Sequence, residues 1–416
     1  MSRGTTQQSS APYNRRMVLD LVRQRGSMSR KDLVEKVALS PQTVANITNE
    51  LEAIGLLVAR RQKADKLRGQ PPIAFELNPN AGGSIGISLE PGRASAAQVN
   101  LVGEVLRRES MEVDTHDRAA VLAAMIELVR AVRTRSLGDG RLWGVGVALP
   151  GPLIATDISF VGPTALEGWT DLSVLDDLRE HTRLPVFYSV DSVAGALGET
   201  LFGVAKSLEN FFYLHLGLGL GGALVDGRSA YRGANGNATE IGHVPVQPGG
   251  TPCYCGNTGC LERYLSLHSL AEALGASDAQ MQDPAYLAAL IEKPNKRMQA
   301  WCEQAAARLR DAVCMIENML DPHSIVIGGS APKALVERLV ELAQPLRRSV
   351  RGGVAQPGSR IVLSERQEDS SILGAAVLPI YDMLAPRPEV LQQDRRPEAE
   401  VADLLGQRTK DRAGRL

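Results

Sequence analysis

Apolar residues recur at helical spacing near the start of the chain and predict three short helices in succession. The first helix is expected over about Asn14–Arg25, and the second over Lys31–Ala38 with Ser29 as its N-cap. The third helix has the clearest beginning, because Ser40 suits the N-cap and Pro41 suits the first helical position. One apolar face runs along this third helix: Val44, Ile47, Leu51 and Ile54.

Two short apolar segments after the third helix predict a β-hairpin. Its strands are expected at Leu56–Ala59 and Ile73–Leu77, on either side of a loop rich in Lys and Arg. Three short helices followed by a two-stranded hairpin are the arrangement of a winged helix-turn-helix, which binds DNA. We therefore predict such a domain over residues 12–78.

From residue 80 onward the chain alternates between strand-like and helix-like segments and is rich in glycine. This alternation is typical of an α/β fold. A new series of strands begins at Asn210–Leu216, which indicates two lobes with a cleft between them. The predicted boundaries are residues 82–198 for the first lobe, 199–384 for the second lobe, whose last helix is a candidate for packing on the first lobe, and 386–416 for a flexible charged tail.

The composition of the 416 residues argues against a membrane or secreted protein. No uninterrupted apolar run approaches the ~18 residues that a membrane span needs. The first residues are polar and lack the apolar segment of a signal peptide. We expect a cytoplasmic protein with no membrane partner, in which the five cysteines stay reduced and are available for metal binding.

Positive charge is concentrated in the predicted DNA-binding domain, although the formal net charge of the chain is only −1. Residues 1–80 hold 13 Lys/Arg against 7 Asp/Glu, a surplus of six, and the remainder of the chain is acidic. A basic head on an acidic body indicates a polyanionic partner for the head alone. Double-stranded operator DNA is such a partner.

The third helix carries side chains that are suited to reading bases. Asn and Gln can pair with adenine edges, and a recognition helix contacts bases through its N-terminal residues. The candidates for DNA contact lie on this helix and in the basic loop after it: Ser40, Gln42, Thr43, Asn46, Asn49, Arg60, Arg61, Lys63 and Arg68. The alternative is a small helical module that binds protein and exposes a solvated polar face.

A short glycine-rich segment further along combines one histidine with three cysteines. His243, Cys253, Cys255 and Cys260 follow the spacing H-x9-C-x-C-x4-C. Three thiolates and one imidazole complete the tetrahedral coordination of Zn²⁺ and leave no open position, which is typical of a structural zinc site. The alternative, three free cysteines in a loop, is disfavoured because the three are clustered in an otherwise cysteine-poor chain.

The segment from Glu240 to Glu262 reads E-x-G-H and then C-x-C-G-x-x-G-C-L-E, and this pattern resembles the ROK family of repressors, open reading frames and sugar kinases. The resemblance extends over about Asn14–Tyr381, and the winged module is similar to the repressor branch of the family. It implies an actin-like, two-lobed sugar kinase fold with ribonuclease H-like lobes, assembled as a homodimer or homotetramer. It also implies that Glu240, His243 and Glu262 contact sugar hydroxyls, with His243 held by the zinc as well.

The same resemblance bears on catalysis. It places Asp191 at the position of the family's catalytic base, but Val190 stands where the family has a sugar-binding asparagine. The family's first phosphate loop, Asp-x-Gly-Gly-Thr, is replaced by Ser-Leu-Glu-Pro-Gly at residues 88–92. Glu90 would repel phosphates, and Pro91 has no N–H to offer them. A leucine replaces the usual threonine in the second loop, so we expect the ATP site to be non-functional.

The leading hypothesis is a sugar-responsive DNA-binding regulator, a repressor, whose kinase-like sensor does not catalyse. A sugar or sugar derivative is expected to bind near Asp191, Glu240, His243 and Glu262. The first alternative is an ATP-dependent sugar kinase in which Asp191 still acts as the base. The second is a sensor that binds a partner protein and no small molecule, an alternative that the altered Val190 keeps open.

Overall fold

The computed structural model describes residues 7–61, 73–134, 142–151, 162, 172–351, 359–366 and 370–386. Three β-sheets organise these residues: a small sheet near the N-terminus and two five-stranded sheets. The predicted α/β class with an N-terminal winged helix-turn-helix is confirmed. No helix in the described ranges is long and apolar enough to cross a membrane. Apart from its first residue, the predicted tail lies outside those ranges.

The N-terminal head consists of three helices and a small antiparallel sheet. The helices are α1 Gln7–Arg25, α2 Arg30–Val37 and α3 Pro41–Ala53, and the strands are β1 Met28–Ser29, β2 Leu57–Arg61 and β3 Ile73–Leu77. Both predicted N-caps are present, because the side chains of Ser29 and Ser40 each accept a hydrogen bond from the backbone N–H three residues ahead.

Two features of the head differ from the sequence-based expectation. Helix α1 begins at Gln7 and not at Asn14. Its first turns could not be predicted from the sequence, because they are polar and carry no apolar periodicity. Strand β1 pairs with β3 and makes a three-stranded sheet in the order β1-β3-β2, where a two-stranded hairpin was expected. A strand of two residues is too short to produce an alternating pattern.

The first large sheet has the order β6-β5-β4-β7-β8. Strands β4, β7 and β8 run parallel to one another, so their carboxyl ends meet at one edge of the sheet. Helices α4 and α5 pack against this sheet and against each other. The elements are β4 Gly83–Glu90, β5 Arg93–Asn100, β6 Val105–Glu112, α4 Arg118–Val132, β7 Leu142–Leu149, α5 Ser173–Thr182 and β8 Val186–Val190.

The second large sheet has the order β11-β10-β9-β12-β13 and packs against a set of helices. Its strands are β9 Phe211–Leu216, β10 Leu220–Asp226, β11 Ser229–Ala230, β12 Ile325–Gly328 and β13 Ile361–Leu363. The helices of this part are α7 Leu267–Leu274, α8 Asp278–Met281, α9 Pro284–Glu292, α10 Lys296–Leu320 and α11 Lys333–Leu342.

Two further helices, α6 Asp191–Leu201 and α12 Ser370–Leu384, form the junction between the large sheets. Helix α6 contacts β9 and β10 of the second sheet, whereas α12 contacts β4 and β7 of the first sheet. The two helices also pack closely on each other: a Cβ on Gly374 would lie only 2.4 Å from the carbonyl carbon of Ala194. Only glycine permits this approach.

Candidate functional site

The predicted zinc ligands extend from His243, the last residue of the 3-10 turn Ile241–His243, to Cys260, directly before the 3-10 turn Leu261–Arg263. The loop is folded back on itself, and Pro245 forms an isolated β-bridge with Cys260. Gly259 makes this path possible, because it adopts a φ of +75° and a Cβ there would lie 1.8 Å from the carbonyl oxygen of Gln247. The fold therefore brings a histidine and three cysteines together from a segment of 18 residues, His243–Cys260.

The four potential ligand atoms are close enough to hold one metal ion. All of them lie within 4.8 Å of one another. The Nδ1 atom of His243 is 3.6 Å from the Sγ atom of Cys253, and the Sγ atoms of Cys255 and Cys260 are 3.6 Å apart. Ligands at zinc–sulfur distances of about 2.3 Å in a tetrahedron have separations of this size. Burial raises the pKa of the Cys260 thiol to about 12, and a bound metal would oppose that shift by favouring the thiolate.

Three carboxylates, Asp191, Glu240 and Glu262, lie close enough beside this loop to interact with one another. Asp191 is the first residue of α6, directly after β8, and one of its oxygens accepts the Ser192 N–H at 2.6 Å. Glu262 lies in the second 3-10 turn and is 7% exposed. One of its oxygens accepts the Leu220 N–H at 2.8 Å. The other oxygen is buried and has no hydrogen-bond partner among the described residues.

The carboxylates influence one another electrostatically. Burial, together with the negative charges of Asp191 and Glu262, raises the pKa of Glu240 to about 7. Burial also raises the pKa of Glu262. Near neutral pH, Glu240 can therefore donate a hydrogen bond when protonated or accept one when ionised. A mixed set of donors and acceptors of this kind suits the hydroxyls of a polyol.

His215 was missed by the sequence reasoning and adjoins the same site. It lies on β9, is 5% exposed, and its Nε2 atom is 3.7 Å from a carboxylate oxygen of Asp191. Its Nδ1 atom has no hydrogen-bond partner among the described residues. The available signal was a single histidine in the otherwise apolar strand Phe211–Leu216.

The predicted recognition helix exposes its polar face. Gln42, Asn46 and Asn49 are exposed, and the Gln42 side chain donates a 2.9 Å hydrogen bond to that of Asn46. Ser40 and Thr43 are joined at the start of the helix by a 2.8 Å contact between their hydroxyl oxygens. Two of the three predicted base-reading amides, Gln42 and Asn46, are therefore accessible and hydrogen-bonded to each other.

The structure describes only the ends of the basic loop between β2 and β3, the wing of the predicted DNA-binding domain. Arg60 and Arg61 are exposed at the end of β2, and Arg60 forms a 2.9 Å ion pair with Glu76. Lys63 and Arg68 lie outside the described residues. Arg30, which the sequence reasoning missed, donates to the Asn49 side chain and lies 5.1 Å from the centre of the Phe75 ring. Arg30 therefore links the recognition helix to the sheet.

Comparison with known proteins identifies both the N-terminal head and the remainder of the chain. A model of the ROK family matches residues 85–381, which is more than half of the chain. The chain belongs to the ROK family. A model of winged helix-turn-helix DNA-binding domains matches residues 13–58. The family resemblance and the N-terminal DNA-binding fold predicted from the sequence are confirmed.

Similar ROK proteins include regulators and kinases. The chain is 26% identical over 391 residues to a putative xylose repressor of Caldicellulosiruptor sp. (strain Rt8B.4), over 89% of this chain and 96% of that protein. It is 28% identical over 313 residues to a glucokinase of Halalkalibacterium halodurans, over 71% of this chain and 94% of that protein. A solved ROK family transcriptional regulator, a homologue of E. coli Mlc, covers 92% of this chain and 100% of its own, with a TM-score of 0.68 and 25% identity. The two regulators thus match a larger share of the chain than the kinase does.

In this ROK protein, the two segments that were compared above with the family's phosphate loops both line one cavity. The cavity has a volume of about 470 Å³, and Glu90, Leu218 and Ser330 are among its lining residues. The first segment is a tight turn between β4 and β5, in which Gly92 has a φ of +77°. Burial raises the pKa of Glu90, and the Leu218 side chain is buried in the core of the second sheet.

Proposed function

We propose that the protein is a DNA-binding transcription regulator, a repressor, whose kinase-like body senses a sugar or sugar derivative without phosphorylating it. The observation that carries the proposal is the exposed pair Gln42 and Asn46 on a capped helix of a winged head. Exposed amides at the start of such a helix suit the adenine edges of a major groove. The same chain carries the ROK domain at residues 85–381, so DNA binding and sensing are joined in one molecule.

The proposed effector site consists of Asp191, Glu240, His243 and Glu262. The unpartnered buried oxygen of Glu262 supports it, because a hydroxyl group that donates to this atom removes the cost of leaving it unsatisfied. Val190 lies at the same edge. A Cβ built on Gly151 would lie 3.1 Å from the Cγ1 atom of Val190 and 3.7 Å from a carboxylate oxygen of Glu240. D-xylose is the first ligand to test, because a putative xylose repressor is similar over 89% of the chain.

We propose that the ion held by His243, Cys253, Cys255 and Cys260 is zinc in a structural role. The donor set of three sulfurs and one nitrogen favours zinc over magnesium or calcium, which prefer oxygen. Zinc would tie the two 3-10 turns together and thereby fix the backbone that carries Glu240 and Glu262.

Loss of kinase activity is part of the proposal. A carboxylate at Glu90 and a proline at residue 91 disfavour a phosphate at the turn between β4 and β5. The competing function, an ATP-dependent sugar kinase, is favoured by one observation: Asp191 is retained and lies 3.7 Å from His215. That function predicts sugar-dependent release of ADP, which the Asp191→Asn variant should abolish. If the wild-type protein releases no ADP with any sugar of a panel of pentoses, hexoses and amino sugars, this alternative is wrong.

We also propose limits for the domains and an assembly for the protein. Residues 12–78 form the DNA-binding domain, residues 82–198 and 199–384 form the two lobes, and the protein acts as a homodimer or homotetramer in the cytoplasm. A dimer would place two heads on the two halves of a palindromic operator. Light scattering of the purified protein measures the mass directly, and a monomer would contradict this assembly.

Selection of genomic fragments on the purified, zinc-loaded protein tests the proposed function. The expected result is enrichment of a small set of fragments, and a change in their retention when D-xylose or another sugar is added. If no fragment is enriched over bulk DNA, the proposal is wrong. If fragments are enriched but no sugar alters retention, DNA binding stands and the sugar effector does not; calorimetry with candidate protein partners would then be the next measurement.

A further inference from the structure

Helix α1 of the DNA-binding head is attached to the end of α12 through Arg16. This arginine is only 9% exposed. It donates hydrogen bonds to the backbone carbonyl of Asp382 at 2.8 Å and to that of Ala385 at 3.3 Å. The last carbonyls of a helix lack partners within the helix and carry partial negative charge, so a guanidinium suits them well. Arg16 therefore caps α12 while belonging to another domain.

A second arginine of α1 is attached to the end of α6. Arg23 donates to the backbone carbonyls of Thr200, at 3.3 Å, and Leu201. Its Nε atom also donates to Asp20 at 3.0 Å. Arg228, in the turn between β10 and β11, donates to the same Thr200 carbonyl at 3.2 Å and lies 3.4 Å from Asp20. One carbonyl at the end of α6 thus joins the head to the second sheet.

The two attachments lie on the same side of α1. Arg16 and Arg23 are seven residues apart, which is about two helical turns and roughly 10 Å. Between them, α1 buries three apolar side chains in a core that also contains residues of α6 and α12: Val18, Leu19 and Val22. The head therefore contacts the junction between the sheets at two places that are two helical turns apart on α1.

The two helices that α1 grips belong to different sheets. Helix α6 is seated on the second sheet, because a Cβ on Gly195 would lie 2.6 Å from the hydroxyl oxygen of Tyr213 on β9. Helix α12 is seated on the first sheet, because a Cβ on Gly86 of β4 would lie 2.2 Å from the carbonyl oxygen of Ile372. When lobes close around a ligand, packed helices at such a junction slide by small amounts.

We propose that α1 is the element that couples the cleft to DNA binding, with Arg16 and Arg23 as positioning residues that hold it to α12 and α6. Asp191 begins α6 and Leu201 ends it, so the proposed effector site and the Arg23 attachment are at opposite ends of one helix about 15 Å long. A shift of α6 against α12 then moves the two attachments of α1 relative to each other and turns the head. This inference rests on the proposed regulatory function.

Hydrogen exchange measured by mass spectrometry on the full-length, zinc-loaded protein tests the coupling without knowledge of the effector. The probe is an enriched operator fragment, because coupling is reciprocal and DNA must then alter the cleft. In the wild-type protein, the fragment is expected to change exchange in α6 and in residues 236–262 by about five-fold or more, the lower end of usual allosteric coupling. In Arg23→Ala, the change in these segments should fall below about two-fold while the head stays protected by DNA.

Two further variants keep the test independent of damage to the head. Arg228→Ala leaves the head's own sequence intact and is expected to reduce the same response, because it removes the bridge from the second sheet to Asp20. Arg25→Ala is the matched control: it removes an exposed arginine from the same helix and should respond like the wild type. Melting temperatures of all variants verify that they are folded.

Each outcome separates the inference from the function on which it rests. Failure of the wild type to bind any fragment would refute the proposed function and the inference with it. Binding without a change in α6 and the 236–262 loop would overturn the inference alone. So would an Arg23→Ala variant that is folded, binds the fragment and keeps the full wild-type response in both segments.

Discussion

At the residue scale, the chemistry of the proposed site depends on two glutamates, Glu240 and Glu262, whose pKa values are raised by burial. Glu262 uses one oxygen to accept the Leu220 N–H and leaves the other buried and unpaired among the described residues. Such an atom costs free energy in the free protein, about 1–3 kcal/mol for a neutral group and more for a charged one. A ligand hydroxyl that donates to this oxygen would recover that cost, which is why we propose Glu262 as a binding residue.

Glu240 makes the stability of the protein depend on pH. Its pKa is raised from 4.5 to about 7, so the folded state binds more protons than the unfolded state between these values. The stabilisation is therefore complete below pH 4.5 and is lost as the pH rises through about 7. Glu240→Gln should remove this dependence, because glutamine does not titrate. Above about pH 7, the free energy of unfolding of the variant should exceed that of the wild type by about 1–3 kcal/mol, discounted for partial exposure.

Thermal or urea unfolding of both proteins across this pH range measures the effect. Glu127→Gln, on the exposed side of α4, is the control and should follow the wild type. Parallel pH profiles for the wild type and Glu240→Gln would show that Glu240 does not titrate in the cleft.

The zinc assignment is tested by Cys255→Ala. Loss of one of four ligands should reduce the zinc content and lower stability, because a structural zinc contributes on the order of 10 kcal/mol to its site. Metal analysis and a melting curve measure both effects. Cys314→Ala, a half-buried cysteine on α10, is the control and should keep its zinc. Equal zinc content in the two variants would mean that the cluster does not hold the metal.

At the element scale, local chemistry predicted some boundaries to the residue. Ser40 and Pro41 placed the start of α3 at the residue where the structure has it, and the strand Ile73–Leu77 matches its predicted limits. Strand β1 could not be predicted, because its pairing with β3 depends on a contact between residues 28 and 75. The contact between α6 and α12 depends likewise on glycines that are far apart in sequence.

Helix α3 carries the prediction for DNA recognition. Asn46→Ala removes an exposed amide from its polar face and is expected to weaken binding to the selected operator by about 1–3 kcal/mol, with little effect on bulk DNA. Equilibrium titrations with both DNAs measure the difference. The control is Glu52→Gln, an exposed position on the same helix. An equal loss for operator and bulk DNA would indicate a phosphate contact and not base reading.

At the scale of the whole molecule, the sequence predicted the parts of the site better than their arrangement. The four residues of the candidate metal site were predicted from spacing alone, because they are close in sequence and a tetrahedral metal requires a fixed set of donors. His215 escaped notice because its proximity to Asp191 arises from two different elements, β9 and α6. The junction that joins head and body through Arg16 and Arg23 is also a property of the folded chain alone.

The central claim is that one chain binds operator DNA and a sugar with linked affinities. Titration of a labelled operator fragment with the wild-type protein, at one fixed salt concentration, with and without saturating D-xylose and then each sugar of a wider panel, tests it most directly. One sugar is expected to change the apparent Kd by roughly five-fold or more, in the range of ordinary allosteric coupling. A Kd that stays the same for every sugar, in a protein that binds its operator, would show that sugar and DNA binding are not linked.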